Sequence, residues 1–184
     1  MRAEQLRIVH LTSVRLTKEK QRILLNEFER YAAAVNFTIR TALTKHLTVE
    51  KRIEDGVADT LAQRYGVTPE YVKDVVKTAR ITIARYRRQV LRSPTVRNNK
   101  PYFARGTVIL SPPMIRFQGP VLVFSTTGNA IPIPLDEASR IREASTIQCM
   151  NEKRAVLDRT RLVWNEPGVL GITVRIYLKG SGQP

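Results

Sequence analysis

Residues 6–14, LRIVHLTSV, alternate loosely between apolar and polar types and are rich in β-branched side chains, which predicts a strand. A strand by itself leaves amide and carbonyl groups unpaired, so it must find partners. No further strand-like run follows until after residue 100, and the stretch between has a helical period. This displacement constrains the fold more than any other feature. The chain must begin a sheet, leave it to build helices, and return to complete it. The expected fold class is therefore α+β, with a helical insertion between the first strand and the rest of a β-domain.

In the helical stretch, Leu24, Phe28, Tyr31, Val35 and Ile39 recur at steps of three or four. They predict an amphipathic helix over 18–45, with Thr17 as cap and Glu19 favourable in the first turn. A weaker helix, KRIEDGVADTLAQRY, covers 51–65 and is stopped by Gly66. A third opens at VTPEYV, with Thr68 as cap and Pro69 at the first helical position, and ends before Pro94. Val72, Val75, Ala79, Ile83, Tyr86 and Val90 form its apolar stripe, while Lys73, Lys77, Arg80, Arg87 and Arg88 lie near one another on an opposing face.

A basic, turn-rich connection, SPTVRNNKPYFARG, leads into short runs broken by Pro and Gly: GTVIL, MIRFQ, PVLVFST and AIPIPL. TTGN, 126–129, reads as a hairpin turn, and DEASRIREAS as a short helical excursion. RAVLDRTRLVW and GVLGITVRIYLKG form a closing pair of strands around NEPG. Many short strands predict a small antiparallel β-barrel. The expected divisions are 1–16 for its first strand, 17–93 for a helical lobe and 94–184 for the remaining strands.

Charge narrows the function. The chain has 31 Lys and Arg against 16 Asp and Glu, a net charge of +15. Such a field favours a polyanion, either nucleic acid or an anionic membrane surface. Arg exceeds Lys by 22 to 9. Its planar fork grips phosphate bidentately, which leans toward nucleic acid, although an Arg excess also fits a high-temperature proteome. Between residues 73 and 105 stand ten basic residues and one acid, Asp74. The candidate nucleic-acid-binding residues are Lys73, Lys77, Arg80, Arg85, Arg87, Arg88, Arg92, Arg97, Lys100, Tyr102 and Arg105. Tyr102 or the adjacent Phe103 can stack on an unpaired base or pack within the fold; Tyr86 reads as core.

No apolar run approaches the ~18 residues of a membrane span, and no signal-peptide core follows the N-terminal charge. One cysteine, Cys149, and two histidines, His10 and His46, do not make a closed zinc site. His10 and Trp164 read as structural. The carboxylates Glu27, Glu29, Glu54, Asp55, Asp136 and Glu137 sit on predicted helices among basic partners and read as surface ion pairs rather than a metal-ion nuclease site. GSGQP at the C-terminus opens no helix, so it is not a phosphate loop. The expectation is a cytoplasmic, non-enzymatic protein with no cofactor, no metal and no membrane.

Three segments carry a resemblance. VRLTKEKQRILLNEFERYAAAVNFTIRTAL resembles the N-terminal opening of the TnpB (OrfB) proteins, transposon-encoded RNA-guided nucleases. There a first strand and short turn precede a helix with a leading Leu pair and a later Tyr-Asn step; Leu24, Leu25, Tyr31 and Asn36 correspond. KPYFARGTVIL leading into VLVFSTTGNAIPIPL is similar to a Pro-Phe element followed by strands, and GVLGITVRIYLKG to the last strand before the nuclease domain. The resemblance implies an oligonucleotide-binding-type β-barrel carrying a helical recognition lobe that grips guide RNA. In that family a RuvC-like nuclease follows; here the sequence ends at Pro184, so no catalytic residue carries over.

The leading functional expectation is a non-catalytic RNA-binding component of a ribonucleoprotein, ribosome-associated or guide-RNA-like. Its partner is structured RNA, with DNA and other ribonucleoprotein proteins as further candidates. A second is the binding subunit of a split RNA-guided nuclease. A third is a duplex-DNA regulator, because AQRYGVTPEYVKDVVKTARITIARYRR has the helix, Gly turn and basic second helix of a helix-turn-helix.

Overall fold

The first strand meets its partner at the far end of the chain. The computed structural model describes residues 5–93, 95, 99–126 and 129–178. In order, its elements are β1 (Gln5–Thr12), α1 (Lys18–Thr44), α2 (Glu50–Tyr65), α3 (Pro69–Arg92), β2 (Thr107–Leu110), β3 (Ile115–Gln118), β4 (Val121–Ser125), β5 (Ala130–Pro134), α4 (Glu137–Arg142), α5 (Ala144–Asn151), β6 (Ala155–Glu166) and β7 (Val169–Leu178). The chain divides into two units, residues 1–25 with 107–184, and residues 26–106. The divisions thus fall after 25 and 106, whereas the sequence suggested 16 and 93.

In the β-unit, β1 pairs antiparallel with β7 in a register running from Gln5 opposite Leu178 to Thr12 opposite Gly171. The sheet continues to β6 and then β2, giving the order β1-β7-β6-β2. Leu170, Ile172, Val174 and Ile176 alternate inward along β7 and are buried with Val9 and Leu11 of β1, as a half-buried strand of period two requires. A second antiparallel sheet has the order β3-β4-β5, its core side chains being Ile115, Leu122, Phe124, Ile131 and Ile133.

The expected closed barrel is corrected here: these are two sheets. They meet at one bridge, Ser13 opposite Leu135, flanked by Val14 N–H to the Pro134 carbonyl at 3.0 Å and Asp136 N–H to the Thr12 carbonyl at 2.9 Å. On the other side β2 and β3 remain unpaired with each other. The four residues joining them include Pro112 and Pro113, which have no amide hydrogen to offer a ladder.

The NEPG turn places Gly168 at φ +83°, a left-handed conformation that glycine adopts without a Cβ penalty. Thr127 and Gly128 of the TTGN turn lie outside the described residues, but β4 and β5 pair on either side of it and Thr126 N–H reaches the Asn129 carbonyl at 2.7 Å. GSGQP also lies outside them. The short helical excursion is two helices. Asp136 caps α4 by accepting from the Ser139 amide at 2.7 Å, and α5 carries the helical segment on to Asn151. His10 Nδ1 lies 3.2 Å from Thr173 Oγ1 across the β1–β7 pair, a strand–strand contact of the structural kind expected. Trp164 is half-buried on β6, and Cys149 half-buried on α5.

The helical unit forms where the period placed it. The Thr68 hydroxyl accepts from the Tyr71 amide at 3.4 Å and Pro69 begins α3, while Gly66, in the left-handed region, ends α2 with its amide on the Ala62 carbonyl. Tyr31, Val35 and Ile39 of α1, Ile53, Val57 and Leu61 of α2, and Tyr71, Val75, Val76 and Ala79 of α3 are buried. Tyr31 anchors this core. Its ring meets Tyr71 and Phe103 edge-on at 5.6 and 5.8 Å, and its hydroxyl lies 2.7 Å from Thr78 Oγ1.

Candidate nucleic-acid interface

The cationic residues of α3 occupy its outer surface because the apolar stripe fixes the other side. Val72, Val75, Ala79 and Ile83 are buried; Tyr86 and Val90 are half-buried as the helix leaves the core. Lys73, Arg80, Arg85, Arg87, Arg88 and Arg92 are exposed, and Lys77 partly so. Asp74, the lone acid of the stretch, is buried.

The cations are not equivalent. Arg80 Nε sits 3.0 Å from Glu50 Oε2 at the start of α2, with both side chains about half exposed. Arg80, Arg87 and Arg88 border a shallow cavity of about 320 Å³ whose other walls are Leu47 and Thr48, with Ile53, Ile83 and Ala84. The loop between α1 and α2 thus joins the α3 surface, a contribution the sequence did not announce.

The loop set forms a separate feature. Lys100, Tyr102 and Arg105 line a concavity of about 790 Å³ together with Asn26, Glu29, Arg30, Asn36 and Arg40 of α1 and Tyr65 at the end of α2. No residue lines both cavities. Arg97 lies outside the described residues. Arg40, Arg30 and Asn26 were missed by the sequence reading. Their signal was present: Asn26, Arg30, Ala33, Asn36 and Arg40 recur at steps of three or four along a second face of α1, with alanines leaving room beside them.

Asn36 fixes the loop. Its amide nitrogen donates to the Phe103 carbonyl at 3.0 Å, and its amide oxygen accepts from the Phe103 N–H at 2.9 Å. Phe103 turns inward onto Tyr31, and Tyr102 is left 64% exposed at the concavity. The ambiguity between these two aromatics resolves in favour of packing for Phe103. Asn36→Ala removes both bonds and leaves a part-buried amide and carbonyl unpaired, an expected loss of about 2 kcal/mol. Urea unfolding measures it, and limited proteolysis should show faster cleavage in 99–106. An unchanged cleavage rate would mean that the loop is held by other contacts.

The acids are distributed otherwise than expected at Glu27 and Asp136. Glu29 makes a surface pair with Arg105 at 3.6 Å, Asp55 pairs with Lys51 at 3.0 Å, and Asp136 caps a helix. Glu27 is buried and corrects the surface reading: it forms a close ion pair with Arg30, and burial holds its carboxyl above the usual range against the lowering effect of that guanidinium. Arg30 in turn lies 5.8 Å from the Tyr71 ring centroid and donates to the Tyr65 carbonyl at 3.4 Å. Among the described residues, no three His, Cys, Asp or Glu side chains gather as a metal-binding group, and no helix is long and apolar enough to cross a membrane.

Fold and site define an α+β protein whose helical unit carries a cationic helix face, paired at Arg80 with Glu50, and an aromatic-edged concavity. No protein-family model matches the chain, and no curated protein matches it.

Proposed function

We propose that this protein binds structured RNA as a non-catalytic, cytoplasmic component of a ribonucleoprotein. The observation that carries the reading is the outer face of α3, where Lys73, Lys77, Arg80, Arg85, Arg87, Arg88 and Arg92 reach solvent and Asp74 does not. A rigid row of exposed guanidinium groups suits the phosphate backbone, which dominates affinity. The two sheets of the β-unit read as an opened barrel of the oligonucleotide-binding type. With the likeness to the N-terminal region of TnpB proteins, this favours a guide-like or ribosomal RNA. A partner chain that supplies a nuclease would make this protein the binding subunit of a split enzyme.

Helix-turn-helix recognition of duplex DNA fits less well. That mode presents the first turns of the second helix to base edges. In α3 the first turns bury Tyr71, Val72, Val75 and Val76 and expose Glu70 beside Lys73, while the arginines sit in the later turns.

The experiment is a salt-titrated competition between a structured RNA hairpin and duplex DNA, with sequencing of crosslinked RNA to name the ligand. The expected result is preference for RNA and a log K that falls linearly with log salt. A DNA duplex of defined sequence winning by orders of magnitude would overturn the assignment.

A further inference from the structure

The concavity beside α1 differs in kind from the α3 surface. A flat row of cations needs only phosphates. Here a volume of about 790 Å³ lies within the range of small-ligand clefts, about 300–1,000 Å³, and its lining mixes three chemistries. Arg40 and Lys100 supply positive charge, Arg105 a guanidinium paired with Glu29 at 3.6 Å, Asn26 an amide of the kind that pairs with base edges, and Tyr102 an exposed ring. Arg30 adds little free charge, because its guanidinium is committed to Glu27.

The ring is presented by a fixed support. Asn36 clamps both backbone groups of Phe103, and Phe103 packs on Tyr31, so the residue preceding it is held outward. An aromatic side chain on a pinned loop loses little freedom on binding.

We infer that this concavity receives a single unpaired nucleotide of an RNA strand, its base against Tyr102 and its phosphate near Arg40 and Lys100. The inference rests on the RNA-binding reading and adds a site to it: α3 holds the backbone of the structured region, and the concavity selects RNAs that carry a bulged or looped-out base.

The test compares two hairpins of identical stem, one perfectly paired and one with a single bulged adenosine, by fluorescence anisotropy. The bulged hairpin should bind about ten-fold tighter, the size of one base–aromatic stack. Tyr102→Ala should erase that margin, bringing the bulged hairpin down to the affinity of the perfect one; Tyr102→Phe should keep it. Arg40→Gln should weaken the bulged hairpin more than the perfect one. A margin that survives Tyr102→Ala, or an equal loss on both hairpins, would overturn the inference while leaving the RNA reading in place. Binding of neither hairpin by the unaltered protein would overturn both. Free AMP competing as effectively as the bulged hairpin would also overturn it, since the site would then be one for a free nucleotide.

Discussion

Replacing Arg80, Arg87 and Arg88 together by Gln should weaken binding to a structured RNA by about 40-fold at 0.15 M salt and reduce the salt slope by about two. The estimate follows from counterion release. Each phosphate contact contributes roughly 0.9 to the slope for a duplex, which at 0.15 M is worth about a five-fold factor in affinity per contact. The three residues border one cavity and stand on one helix, so they would meet neighbouring phosphates. Three independent contacts would give a slope change nearer three. The expected value is lower because Arg80 already faces Glu50 at 3.0 Å and has fewer counterions to release.

That asymmetry gives the experiment an internal check. Arg80→Gln alone should change the slope by less than Arg87→Gln alone. Glu50→Gln should strengthen RNA binding by a few-fold, because it frees Arg80 and removes a negative charge from the same surface. Affinities are measured from 50 to 300 mM salt on one hairpin. A slope that does not change in the triple variant would place the phosphates elsewhere, and the α3 face would then be only a solvated helix surface.

What the sequence revealed was what local chemistry determines. Thr68-Pro69 and the spacing of Val72, Val75, Ala79 and Ile83 located α3 and its two faces, because capping and a period of 3.6 residues act within a few turns. The closing strands were readable from alternation alone. What was hidden depends on residues far apart. The pairing of β1 with β7 joins Gln5 to Leu178, and no local pattern encodes that register. The gap between β2 and β3 depends on how two sheet edges end around Pro112 and Pro113, which hydrophobic period does not report. The extension of the short helical excursion through α5 was obscured because Ile147, Cys149 and Met150 lie among polar residues in a helix of only eight residues. In the candidate site, the cations of α3 were visible as a run. Arg40 belongs to a periodic second face of α1 that forms no run of charge, and that face gains meaning only when the loop carrying Lys100 and Tyr102 is brought beside it. The contact that does so, Asn36 with Phe103, joins residues 67 positions apart.

Arg30→Met should destabilise the protein by about 2–3 kcal/mol at pH 7 and by clearly less at pH 4. Breaking a fully buried ion pair from one side costs about 3–5 kcal/mol, because the remaining charge is desolvated without compensation. The Glu27 and Arg30 side chains are 12% and 24% exposed, so the cost is placed below that range. The pH dependence has a definite sign. Burial raises the Glu27 carboxyl above its ordinary value of 4.5, and the charge and hydrogen bond of Arg30 oppose the rise. A carboxyl raised in the folded state binds its proton more tightly there than in the unfolded chain. Its favourable contribution is therefore complete below about 4.5 and is lost as pH climbs through the folded-state value. Removing Arg30 removes what holds that value down, so the window widens upward and the loss at pH 7 grows. At pH 4 Glu27 is protonated in the folded variant, and only the lost packing and the contact with the Tyr71 ring remain. Urea unfolding of both proteins at pH 4 and pH 7 measures the difference. Adding Glu27→Gln to the variant should recover at least about 1 kcal/mol at pH 7, since the uncompensated charge is then gone. An equal destabilisation at the two pH values, with no recovery in the double variant, would show that Glu27 stays hydrated without Arg30, and that Arg30 matters to the helical unit through its packing alone.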